Sequence, residues 1–151
     1  SVLDGFAQVE QGKQRSCLYR PICGLLKELQ ESDANNKVLI VFSDLLENSD
    51  IINLYKPEYL AEADFNTSQI KSRFDQKVPF PRCDGIDVIV VCQPTTANDR
   101  LILKVQKLYR AFFEEHGAKS ISFSTNLQTE NHGSYRHGNR SILPSPSGGG
   151  G

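Results

Sequence analysis

The sequence predicts an α/β fold: a Rossmann-like parallel sheet with flanking helices. Two apolar runs, VLIVF at 38–42 and DVIVVC at 87–92, are short, β-branched and apolar without alternation. Strands buried on both faces, the habit of parallel sheets, read this way. A third run, SISFS at 120–124, follows an amphipathic stretch of helical period. The resulting order, helix, strand, helix, strand, helix, strand, demands right-handed crossovers and places the functional crevice at the carboxyl ends of the strands.

Each element has its own justification. In residues 1–15, Val2, Leu3, Phe6 and Val9 fall at helix-like spacing, which predicts the tail of a helix before a polar break. A helix beginning near Ser16 carries Leu18, Ile22, Leu25, Leu26 and Leu29 on one face. Pro21 fits only its first turn, so the start falls at residues 17–20. After the polar turn ESDANNK comes the strand 38–42. Residues 45–82 carry weaker signals: an apolar loop, a short helix in SQIKSRFDQ and an extended, proline-punctuated link in VPFPRCDG. A long helix from about Asn98 to His116 buries Leu101, Val105, Leu108, Phe112 and Phe113, flanked by Ile102 and Tyr109, with Gly117 as its C-cap. The domain spans 1–127. Residues 128–151 are polar and glycine-rich, a composition that predicts disorder.

At 151 residues the chain is sized for one domain. A net charge of -1 gives no electrostatic pull toward nucleic acid or an anionic membrane. No run reaches the roughly 18–20 apolar residues of a membrane span. The chain starts at Ser1 and holds no methionine, so an upstream segment is expected. Cys17, Cys23, Cys83 and Cys92 form no C-x-x-C pair, and four reduced, structural thiols are expected, which favours a reducing, cytoplasmic setting.

Strand ends supply the candidate residues. Ser43 and Asp44 follow the first run, Gln93 to Thr96 the second, and Ser124 to Asn126 the third. Asp44 reads either as a ligand or as a cap of the turn that follows it. Ser16 is equally the ordinary residue at a helix start. Glu47, Asn48 and Asp50 read as a solvated loop within reach of a partner, as do Thr95 and Thr96. Cys92 at a strand end lacks the neighbouring base that a catalytic thiol needs. His132 and His137, with Arg136 and Arg140, lie in the polar tail. No G-x-G-x-x-G, Walker loop or G-x-S-x-G elbow is present.

SCLYRPICGLLKEL followed by KVLIVFSDLLENS resembles the later part of a von Willebrand factor type A domain. GIDVIVVCQPT and FFEEHGAKSISFSTNL extend the likeness, closest in pattern to uncharacterised Bacteroidetes-type bacterial proteins, over residues 13–127. That resemblance implies a Rossmann-like sheet with a metal-ion-dependent adhesion site. Asp44 matches its third loop and Ser16 stands where its second carries threonine. The first-loop motif, D-x-S-x-S, has no counterpart. The resemblance therefore implies a truncated domain of three strands with its opening strand absent, and a weak, incomplete site for Mg2+ or Mn2+ at Asp44 and Ser16.

A strand at 38–43 without that neighbour becomes an apolar edge, open to self-association. The leading functional expectation is a non-enzymatic module that binds a protein partner at the strand ends, bridged by a divalent cation. A metal-free structural domain is the first rival. A metal-assisted hydrolase is the second, and it lacks a further acid or base at the other strand ends.

Overall fold

The computed structural model describes residues 2–3, 5–10, 16–60, 65–92 and 99–125. Its first segments follow a period of two: Ala7 and Val9 are buried while Gln8 between them is exposed. They form strands Val2–Leu3 (β1) and Phe6–Glu10 (β2), an antiparallel pair, instead of the expected helix tail. Gly5 turns the chain between them at φ +83°. A Cβ there would stand 2.5 Å from the Asn36 carbonyl oxygen and 2.9 Å from Ala34 Cβ. Gly5→Ala is therefore expected to destabilise by about 1–3 kcal/mol, read by urea unfolding.

Lys37–Phe42 (β3), Ile86–Val91 (β4) and Ser120–Ser124 (β5) complete a five-stranded sheet in the order β1-β2-β3-β4-β5. The last four strands run parallel, each in register with the one before it. Three expectations are corrected here. The sheet has five strands, four of them parallel, not three. A strand, β2, does precede the first helix. Strand 38–43 is no edge, because β2 and β4 fill both of its ladders. Self-association through that edge has no unpaired backbone to use.

The helices bury one apolar stripe each. Tyr19–Glu31 (α1) encloses Tyr19, Ile22, Cys23, Leu26 and Leu29, and Pro21 sits in its first turn, where a missing N–H costs nothing. A short turn, Pro57–Leu60 (α2), precedes Thr67–Lys77 (α3), whose N-cap Asn66 accepts the Gln69 N–H at 3.0 Å. Asp99–Glu115 (α4) buries all seven of the residues its period singled out. It ends in a Schellman arrangement: Gly117 N–H donates to Glu114 O, Ala118 N–H to Phe113 O, and Gly117 lies at φ +93°. Among the described residues no helix is long and apolar enough to cross a membrane.

The main core joins these helices to one sheet face: Ala7, Val9, Leu39, Val41, Val88 and Val90. An aromatic cluster forms its centre, with Phe112 stacked on Phe80 at 4.6 Å and Tyr19 on Phe74 at the same distance. The opposite sheet face is a separate apolar group of strand residues, Ile40, Ile89 and Val91 bordered by Phe6, Val38 and Phe42.

Candidate functional site

Past Phe42 the backbone keeps pairing for one more residue, as Ser43 N–H donates to Val91 O. The chain then folds back on itself through two side-chain turns. Ser43 Oγ accepts the Leu45 N–H at 2.8 Å, and Asp44 Oδ1 accepts the Leu46 N–H at 2.9 Å. Leu45 between them lies at φ +69°, a conformation costly for leucine and held only because the surroundings enforce it. Those surroundings are apolar. Leu45, Leu46, Ile51, Ile52 and Leu54 are all buried in the main core. Loop 43–54 is therefore anchored by its own hydrophobic side chains, and Arg73 on α3 donates to Ile51 O at 2.9 Å.

Glu47 fastens the same loop to α1. Its side chain is 0% exposed, and Oε1 accepts both the Leu18 N–H and the Tyr19 N–H, each at 3.1 Å. The N-cap residue, Leu18, has no side-chain cap of its own. A carboxyl 28 and 29 residues away thus satisfies the first free donors of the helix. The junction is reinforced by Asn48 N–H donating to Ser16 O at 3.0 Å and by Leu54 N–H donating to Glu47 O at 2.8 Å. Burial raises the Glu47 carboxyl above its ordinary value. Ser49's hydroxyl, the two N–H donors and Arg20 pull the other way. Among the described residues Oε2 closes no hydrogen bond, although the Ser49 hydroxyl lies near enough to the carboxyl to favour its ionised form.

The residues singled out in the sequence are distributed as follows. Ser16 is 3% exposed and bridges Asn48, so the loops after β2 and β3 are zipped together. It does not cap α1, which begins at Tyr19. Asp44 is half-buried on the same loop and performs the turn-capping role. Glu47, expected at a partner surface, faces inward, because it serves the helix start. Asn48 is half-buried, and Asp50 is exposed in a surface pair with Arg20, Nη1 to Oδ1 2.6 Å, that holds its carboxyl below the usual range. Ser124 and Thr125 close β5. Gln93, Thr95 and Thr96 lie outside the described residues, as do His132, Arg136, His137, Arg140 and the whole segment 128–151. None of the four cysteines is in a disulfide. Burial pushes the Cys23 thiol up to about 12 and Cys83 up to about 11, as inert core thiols require, whereas Cys17 is exposed.

Magnesium and manganese ask for near-octahedral oxygen donors. Among the described residues no three His, Cys, Asp or Glu side chains gather into such a group. Asp44 Oδ1 already accepts the Leu46 N–H, Ser16 is enclosed, and Glu47 is turned into the core. Among the described residues, one half-buried carboxylate and one enclosed hydroxyl supply fewer donors than a hard cation takes. Comparison with protein-family models, curated proteins and solved structures finds no match to this chain.

Proposed function

We propose that the chain is a non-enzymatic protein-interaction module that engages a partner at the carboxyl ends of its parallel strands, through Asp44 and the loop that follows it. The observation that carries this reading is the fixed geometry of loop 43–54. A strained Leu45, two side-chain turns and five buried apolar residues hold one acidic side chain at a strand end. Preorganisation of this kind lowers the entropic cost of binding. The resemblance to von Willebrand factor type A domains supports the same face as the contact surface. Ser124 and Thr125, at the end of β5, are hydroxyls unsuited to acid–base work at neutral pH, which favours binding over catalysis.

Asp44→Asn separates the two roles of the side chain. The amide oxygen still accepts the Leu46 N–H, so stability is expected to stay within about 0.5 kcal/mol of the natural chain. Affinity for a partner isolated on the immobilised chain is expected to fall at least about tenfold, measured by calorimetry. Unchanged affinity would remove Asp44 from the contact. The resemblance also implies a cation-bridged form of this contact. Binding that survives a chelator supports the metal-free contact, and binding restored only by Mg2+ or Mn2+ would establish the bridged one.

A further inference from the structure

We infer that the folded chain holds Glu47 as the neutral carboxylic acid, with its proton on Oε2, and that ionisation of this side chain as pH rises destabilises the fold in which it joins loop 43–54 to the N-terminus of α1. The side chain is fully enclosed, and burial penalises a carboxylate more than an acid. Both N–H donors converge on one oxygen, Oε1, which a neutral carboxyl offers as a carbonyl. Among the described residues the other oxygen closes no hydrogen bond, and an orphan there costs more in a carboxylate, acceptor-only on both oxygens, than in an acid. Among the described residues Glu47 makes no ion pair, and Arg20, the guanidinium that acts on it, is bound to Asp50. A buried charge without a counter-ion is among the costliest groups a fold can hold, and it usually neutralises instead.

The groups around Glu47 agree. From the α1 side come Tyr19, Arg20 and Cys23, with Cys17 just before the helix; from α4 comes Tyr109; from its own loop come Ser49 and Asp50. Tyr109 Oη is the other enclosed polar atom without a partner among the described side chains. Burial first, and then the Glu47 carboxyl, raises Tyr109 far above an ordinary phenol. Cys23 is likewise raised, in part by Glu47. Asp75 on α3 acts on Tyr19 and Cys23. Arg20 is the positive charge that acts on Glu47, and it is the last of the influences on it.

The sign follows from linkage. The folded value of Glu47 lies above 4.5, its ordinary value, so the folded state binds a proton that the unfolded state has lost. The stabilisation is fully present below the unfolded value and is lost as pH rises through the folded one. Between the two the folding constant falls by about tenfold per pH unit. Asp50 and Asp84, lowered by Arg20 and Arg82, act in the opposite sense, below 3.8, outside this window. The inference concerns the latch alone and stands or falls separately from partner binding at Asp44.

The test is urea unfolding of the full chain across mildly acid to alkaline buffers, for the natural protein and Glu47→Gln. The amide keeps an oxygen for both N–H donors and cannot ionise. The expected result is that, from mildly acid to neutral pH, the natural chain weakens with rising pH while Glu47→Gln loses that slope and becomes the more stable of the two. Toward 9.0, the ordinary thiol value, the buried thiols and phenols weaken both alike, so the slopes are compared below it. Parallel slopes would overturn the inference. Infrared spectra of the natural chain, labelled at glutamate, give a readout that needs no variant. A protonated-carboxyl band from one glutamate is expected to persist after exposed carboxyls have ionised, and its absence there would equally overturn it.

Discussion

Glu47→Ala is expected to destabilise the chain by about 3–5 kcal/mol, measured as a shift in urea unfolding at mildly acid pH. Two effects add. The Leu18 and Tyr19 N–H groups lose the oxygen they share, and each buried donor left without a partner costs about 1–3 kcal/mol. Removing an enclosed side chain also leaves a cavity under the start of α1 that the surroundings fill only in part. Glu47→Gln retains the shape and the oxygen, and is expected to cost less than about 1 kcal/mol under the same conditions. The difference between the two variants gives the capping oxygen and the filled volume together, apart from the ionisable group.

Phe112→Ala is expected to cost about 3–5 kcal/mol as well, through a different mechanism. Phe112 is 0% exposed and meets four other rings of the aromatic cluster. It stacks on Phe80 at 4.6 Å with planes 15° apart, and meets Tyr19 at 5.5 Å, Tyr109 at 6.1 Å and Phe74 edge-on at 6.4 Å. Lys71 from α3 lies over the ring at 5.2 Å while pairing with Glu115. Truncation therefore loosens the contact of α4 with both α1 and α3. Thermal or urea unfolding reads the loss. Phe123→Ala, on the half-buried edge strand β5, is expected to cost distinctly less, because a site open to solvent leaves no closed cavity.

The parts of the fold legible from sequence are those whose pattern has one physical meaning. β3 and β4 are continuous apolar runs because the sheet buries both of their faces. α4 shows an unbroken helical stripe and a glycine where its left-handed ending falls. β2 was obscured by its small buried residues. Ala7 contributes little to an apolar pattern, so the eye of the reader falls on Val2, Leu3, Phe6 and Val9, whose spacing mimics a helix. Misplacing β2 then turned β3 into an edge and removed a strand from the sheet.

The position of Asp44 at a strand end was legible, because it follows from the parallel topology alone. Glu47 was not, because its partners are the backbone N–H groups of Leu18 and Tyr19, far away in sequence. Within Glu47, Asn48, Ser49 and Asp50 it reads as one more surface charge. A signal did exist: Leu45, Leu46, Ile51, Ile52 and Leu54 enclose that polar group, and a loop so apolar must be buried and draw a polar residue in with it. The four then part company. Asp50 emerges to meet Arg20, Asn48 and Ser49 are half-buried, and Glu47 is taken inside.

The central claim is that one inward carboxyl joins the strand-end loop to α1 and so fixes the surface that carries Asp44. Native-state hydrogen exchange on the natural chain and Glu47→Ala tests it most directly, with the Leu39 and Val90 amides in the sheet as internal references. The account predicts that the Leu18, Tyr19, Leu46 and Asn48 amides exchange much faster in the variant, while Leu39 and Val90 remain protected in proportion to global stability. Equal protection of those four amides in the two proteins would contradict it.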